Sequence, residues 1–501
     1  VPAALCGVID QPGDFDCFAF EAKKGDKYRV QCFAREPLRS PLDAVMNVFG
    51  PDSKAVASSD DVGESKDPLI EFTCAADGRY TVRVYDHLRG GSAVHQYRIE
   101  VVKAEPTFTT FLKETRRDCA TVAAVPIGGH SAVIAMVTRK GYNGEISFAV
   151  DGLPEGVTAQ CFPMPAGRAE SPILFTATDQ AKHQSGFFRI DGSSSSADAQ
   201  KPGAKKDAAN VTGLPMVQRH RLVLGQNRKV MFDYYTDFAA MAITDAAPFQ
   251  IELVQPATPI VRSGSKSLKV KIVRDQGFED EVRLRTLYNP PGIAVNNSRK
   301  IEKGKSETAI PMTANTGAAI GKWPIILIAT YRGEQGNVEV STPAIMLDVQ
   351  QDFFAYQFPR AAAEQGAGTT VAINLDIKRE LPGTAEIELA GLPTGVTSPA
   401  AKQTVTADTK VVSFPIEVSK NAKPGNHKTL VCVARVKVGD EVIVQTTGTG
   451  QLRIDTPLAP KKKKPMTEKA PPRNKADQKA KPKSEKPLSR LQQLRQIKEQ
   501  E

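Results

Sequence analysis

Between residues 1 and 456, apolar and polar positions alternate in short runs punctuated by Gly, Pro, Asp, Asn and Ser. A period of two sends successive side chains to opposite faces of a strand. In Tyr80-Thr-Val-Arg-Val-Tyr85 it turns Tyr80, Val82 and Val84 toward a core and leaves Thr81, Arg83 and Tyr85 outside. The same alternation predicts strands at Asp16–Phe20, Tyr28–Cys32, Val45–Phe49 and Leu69–Cys74, and another through Tyr97, Ile99 and Val101. Pro12-Gly-Asp14 and Asp77-Gly78 read as turns, and Lys24-Gly-Asp26 as the turn of a hairpin joining 16–20 to 28–32. Short strands at this spacing, with no helical period, make residues 1–103 a β-sandwich or jelly roll.

Further along, one stretch returns. Gly152-Leu-Pro-Glu-Gly-Val-Thr158 recurs almost unchanged as Gly391-Leu-Pro-Thr-Gly-Val-Thr397, with a looser copy at Asn289-Pro-Pro-Gly-Ile-Ala-Val295. Each follows an alternating strand and reads as a corner in which proline fixes φ and glycine accepts a positive φ. The repeat distance is far above that of a solenoid, so whole domains repeat. Three immunoglobulin-like sandwiches are predicted, at 104–255, 256–349 and 350–456, the first with a flexible Ser, Ala, Lys and Gly-rich insertion near 192–212. The antibody Cys-Trp-Cys spacing is absent, so the term describes topology only. Residues 457–501 turn to Lys, Pro, Ala and Gln, a composition expected to be disordered, with a possible short helix through Leu488, Leu491, Leu494 and Ile497.

Charge changes this picture little. The chain carries +10 with a pI near 9.1. Residues 460–501 hold 14 Lys and Arg against 5 acids, so the tail accounts for nearly all of it. Three readings of that tail stay open: a solvated spacer, adhesion to an anionic surface such as envelope polymer or lipid headgroups, and nucleic-acid binding, disfavoured because no aromatic residue interleaves the lysines. No run approaches the ~20 apolar residues of a membrane helix. The chain starts at Val1 without Met or signal peptide, which leaves open a leader or a catalytic domain upstream.

Seven cysteines, with no C-x-x-C pair, argue against zinc. They read as small buried hydrophobes or, alternatively, as including a disulfide, with Cys32 to Cys74 the first pair to test. Neither G-x-S-x-G nor H-E-x-x-H occurs, and the six histidines are scattered. On these grounds the chain is not expected to be an enzyme.

A resemblance emerges from the first hundred residues. The run G-x-I-x-x-PGD-x-D-x-F-x-F at Gly7 to Phe20, KGD-x-Y at Lys24 to Tyr28, SPLD at Ser40 to Asp43, the pair Asp60 and Asp61, and DG-x-Y-x-V-x-V-x-D at Asp77 to Asp86 together resemble the bacterial pre-peptidase C-terminal domain. The resemblance implies a small jelly-roll sandwich in secreted bacterial proteins, often beside peptidases and not itself catalytic. Members resembling it in collagenases bind calcium and collagen.

Two candidate sites follow. Asp60, Asp61 and Asp67, with Asp43 across the sandwich, supply the hard oxygens calcium needs, although Asp is also an ordinary loop former. Arg83 and Tyr85, both outward, could grip a polymer by stacking and hydrogen bonding, or form an ordinary solvated face. The expected function is that of a secreted or cell-envelope (periplasmic) binding and spacing protein whose partner is a polymer or protein, with calcium its one candidate cofactor. The alternative is the accessory C-terminal region of a secreted peptidase.

Overall fold

A computed structural model describes residues 1–457 apart from Glu64, residues 195–210, Ser298 and Gln335. The basic tail, its expected helix and most of the Ser-rich insertion therefore lie outside the described residues. Residues Val1–Asp455 form one compact unit, and its architecture is all-β.

The first sandwich packs one four-stranded sheet, in the order Ala3–Val8, Gln96–Lys103, Lys27–Phe33, Leu69–Thr73, on another, in the order Phe15–Ala22, Gly78–Asp86, Ala44–Phe49, Ala55–Ser59. The inward residues that alternation picks out, Tyr28, Val30, Cys32, Tyr80, Val82, Val84, Tyr97, Ile99 and Val101, are all buried in one core. The expected hairpin at Lys24-Gly-Asp26 is not one. Phe15–Ala22 pairs with Gly78–Asp86, while Lys27–Phe33 pairs with Gln96–Lys103 and Leu69–Thr73, so this turn carries the chain from one sheet to the other. Both strands point alternate apolar residues into the same core, and a sheet-crossing turn satisfies that as well as a hairpin does.

The register also separates Cys32 from Cys74. The Cys74 amide bonds to the Asp26 carbonyl, six residues along the strand from Cys32, which is roughly 20 Å at the rise of a strand. A disulfide needs Cα atoms within about 7 Å. Both thiols are free and buried, and burial pushes that of Cys32 up to about 12.

Beyond residue 104 three further sandwiches follow, with cores around Ile173, Phe175 and Phe188, around Phe249, Val270, Leu284 and Ile310, and around Ile373, Ile387, Phe414 and Cys432. The strand Phe249–Leu253, placed by sequence in the unit ending at 255, pairs with Gly264–Arg274 and fills the next core. The apolar run around Ile326 is broken there into Gly321–Ile325 and Leu327–Gly333, which belong to different sheets.

The repeated corner has the same construction three times. Each copy takes the chain from one sheet to the facing one, as from Ile146–Asp151 to Val157–Cys161 and from Ala385–Ala390 to Val396–Thr397. The amides of Val157, Ile293 and Val396 donate to the carbonyls of Pro154, Pro290 and Pro393. The amides of Thr178, Asn315 and Ser419 donate to Gly156, Gly292 and Gly395. All three of these glycines have φ near +80° and back onto a second turn, at Ala181, Ala318 and Ala422. A side chain there would meet that turn, so the glycine is required by space as well as by conformation.

Neighbouring cores are stitched together. Phe162, Leu174 and Ile326 form a small cluster between the second and third sandwiches, where Arg168 also lies over the Trp323 ring. Between the third and fourth, Gly264 and Ser265 pair with Gln445 and Val444, making one sheet continuous across the junction. A Cβ on Gly264 would stand 2.6 Å from the Val261 carbonyl and 2.7 Å from that of Val444. Ile260 lies in the third core and Val261 in the fourth.

Candidate functional site

The acidic residues of the first sandwich are engaged singly. Asp67 is buried, and its two carboxylate oxygens accept the amides of Ala34 and Arg35 at 3.1 and 2.7 Å, which begins the helical turn Arg35–Leu38. These amides would otherwise have no partner, so Asp67 serves as a cap donated from a distant loop. Asp43 ion-pairs with Arg35 at 3.1 Å, and Asp61 with Lys66 at 2.9 Å. Asp60 accepts the amide of Asp61, which holds its carboxyl below the usual range. Among the described residues no three His, Cys, Asp or Glu side chains are placed to hold a metal. Each of these four aspartates thus has a partner within the chain, a basic side chain for Asp43 and Asp61 and backbone amides for Asp60 and Asp67.

One buried carboxylate in this region was not singled out by sequence. Asp86 accepts the amides of Asp43 at 2.9 Å and Gly90 at 2.8 Å, tying the end of its strand to the neighbouring loops. Its place at the end of the DG-x-Y-x-V-x-V-x-D run is the only signal the sequence offers.

Arg83 and Tyr85 do come together, on the outer face of the sheet centred on Gly78–Asp86. The register sets Tyr85 between Phe15 and Val45, and Arg83 between Cys17 and Asn47. The Arg83 guanidinium lies 5.0 Å from the ring centre of Phe49, 5.4 Å from Tyr85 and 5.8 Å from Phe15, and donates to Asn47 Oδ1 at 2.9 Å. Its Nε is buried without a hydrogen-bond partner. Three rings fix a planar cation by its faces, and Phe15 remains exposed. Stacking surface, a positive charge and an adjacent amide suit recognition of an extended chain by its flat groups and carbonyl or hydroxyl oxygens. Phe15, Phe49 and Asn47 escaped the sequence reading because their approach to Arg83 depends on which strands pair.

No helix among the described residues is long and apolar enough to cross a membrane. No curated protein matches the chain. Similar solved structures include PliG of Aeromonas hydrophila, a periplasmic inhibitor of g-type lysozyme, at 20% identity over 20% of this chain and 84% of that one, TM-score 0.16. Others are the D0-D1 domain of intimin, at 12% over 48% and 97%, TM-score 0.16, and fibronectin(III)-like modules of Clostridium thermocellum CbhA, at 12% over 41% and 95%, TM-score 0.17. Scores this low carry no functional argument. Residues 14–86, which include the sheet bearing Arg83, match the model of the bacterial pre-peptidase C-terminal domain.

Proposed function

We propose that this is a non-catalytic binding and spacing protein, secreted or held in the bacterial cell envelope. Its first sandwich carries the ligand face and the following three set that face at a distance. The observation that carries the reading is the group of Phe15, Phe49 and Tyr85 around Arg83 on an open sheet. The stitched junctions among the later sandwiches support the spacing role, since a spacer that hinges freely does not hold a distance. The ligand class is an extended polymer or protein segment. The basic tail adds attraction to an anionic surface.

Co-sedimentation of the chain with fibrillar collagen and with insoluble peptidoglycan tests the face. Arg83→Ala and Tyr85→Ala are each expected to weaken binding to the recognised polymer about tenfold or more, with the unfolding temperature of the first sandwich kept within a few degrees. Retention of both polymers that is indifferent to either substitution, or binding of neither, overturns the reading.

A second reading has its own support, the match of residues 14–86 to a domain found beside peptidases: the chain is the accessory region of a secreted peptidase. In that case the same face holds the substrate polymer, and a catalytic motif is encoded upstream of Val1.

A further inference from the structure

The second sandwich carries a two-stranded hairpin, Gln218–Leu224 with Val230–Thr236, that joins no larger sheet among the described residues. Seven of its large apolar side chains, Leu222, Val223, Leu224, Met231, Phe232, Tyr234 and Tyr235, are between 37% and 63% exposed. They are divided between its two faces, and Val223, Phe232 and Tyr234, which share one of them, are each more than half exposed.

The two faces of the hairpin differ. Cross-strand pairing sets His220 opposite Tyr234 and Val223 opposite Phe232, and alternation places Phe232 and Tyr234 side by side on this face. The other face carries Arg219, Arg221 and Asp233, with Met231 and Tyr235 among them. Arg219 pairs with Asp233 at 2.7 Å, while Arg221 bonds to Glu114 and Arg228 at the tip bonds to Asp118, both acids from the segment before Ala123–Pro126. The arginines are therefore neutralised within the chain, which removes the attraction an acidic protein, a nucleic acid or an anionic lipid would need. What remains is an apolar face beside an open strand edge, since Val230–Thr236 bonds only to Gln218–Leu224 among the described residues. An open edge of this kind is completed by another strand.

We propose that this hairpin is a self-association surface, and that two copies of the chain join Val230–Thr236 to Val230–Thr236 antiparallel, forming a four-stranded sheet with a two-fold axis. Such an interface is self-complementary. A register centred on Phe232 sets each Asp233 opposite a Met231 and keeps the two carboxylates apart, where a register centred on Asp233 would oppose them.

Sedimentation velocity of the full chain across a concentration series tests this, together with amide hydrogen exchange. The expected result is a monomer–dimer equilibrium in which the amides of 230–236 gain protection as concentration rises. Phe232→Asp combined with Tyr234→Asp should weaken the dimer at least tenfold. Both side chains are exposed in the monomer, so the circular dichroism and melting curve of the variant should match the wild type. A chain that stays monomeric to ~100 μM, or a dimer indifferent to the double substitution, overturns the proposal. Protection of 230–236 that is independent of concentration and is lost when residues 195–210 are deleted assigns the cover to the chain's own insertion and overturns it as well. So does co-sedimentation of the hairpin-dependent kind with phosphatidylcholine and phosphatidylglycerol vesicles in place of self-association.

Discussion

Gly391 shows how far a single position is constrained. It has φ +74°, and a Cβ there would stand 1.8 Å from the Thr429 carbonyl oxygen, so alanine is excluded by backbone conformation and by contact with backbone that cannot yield. Gly13 separates the two effects, because it has φ +82° with nothing within 4 Å of a built Cβ. Gly391→Ala is expected to destabilise the fourth sandwich by about 2–4 kcal/mol, and Gly13→Ala the first by about 1 kcal/mol, in denaturant unfolding of the full chain. Equal costs at the two positions would show that the close approach at Thr429 is relaxed. Proline and glycine at the repeated corner were legible because their chemistry is local. Tyr288 stands where the other two copies have Gly152 and Gly391, and it is buried, so the third copy takes its turn with a different first residue and is harder to recognise.

At the scale of the element, the helical turn Arg35–Leu38 exists because an acid more than thirty residues away caps it. Asp67→Ala leaves two amides without their acceptor and should cost the first sandwich about 1–3 kcal/mol. The loss is expected to be the same in EDTA and in millimolar calcium, as measured by thermal unfolding. A loss seen only with calcium would make Asp67 a metal ligand. Strands were largely legible, since a period of two with β-branched and aromatic residues leaves little choice of element. Their partners were not. Lys24-Gly-Asp26 has hairpin chemistry yet crosses between sheets, and the turn residues alone do not distinguish the two outcomes.

Across the whole molecule, the third and fourth sandwiches meet at a polar clamp. The Glu441 carboxylate accepts the amides of Ala257 and Thr258 at 3.0 and 3.1 Å, the Thr258 hydroxyl at 2.5 Å and Lys266 Nζ at 2.6 Å. Burial acts to raise its pKa, but the hydrogen bonds from Lys266, Thr258 and Ala257 outweigh it and hold the group at about 2. Nearby, Gln445 is fully buried and binds the amides of Phe353 and Phe354, fixing the chain where the fourth sandwich begins. A carboxylate at about 2 when folded and 4.5 when unfolded stabilises the junction fully above pH 4.5, and that contribution fades as pH falls toward 2. Glu441→Gln should therefore lower the unfolding temperature by a few degrees at pH 7 and flatten its fall between pH 5 and 3, in calorimetric scans of the full chain. A variant that follows the wild-type acid profile would remove Glu441 from the junction.

The sequence alone determined the β class, the repeated corners, most strand positions and the inward set of each strand, because alternation, proline and glycine act over a few residues. It also showed that the positive charge belongs to the tail. Tertiary structure alone decided which strands pair, and with that which side chains meet. It gave each of the four aspartates a partner within the chain, placed Phe15 and Phe49 beside Arg83, parted Cys32 from Cys74 and left one hairpin edge without a partner strand among the described residues. The physical reason is that any register burying the same apolar face satisfies the local pattern equally well, and the selection among registers is made by contacts between residues distant in sequence.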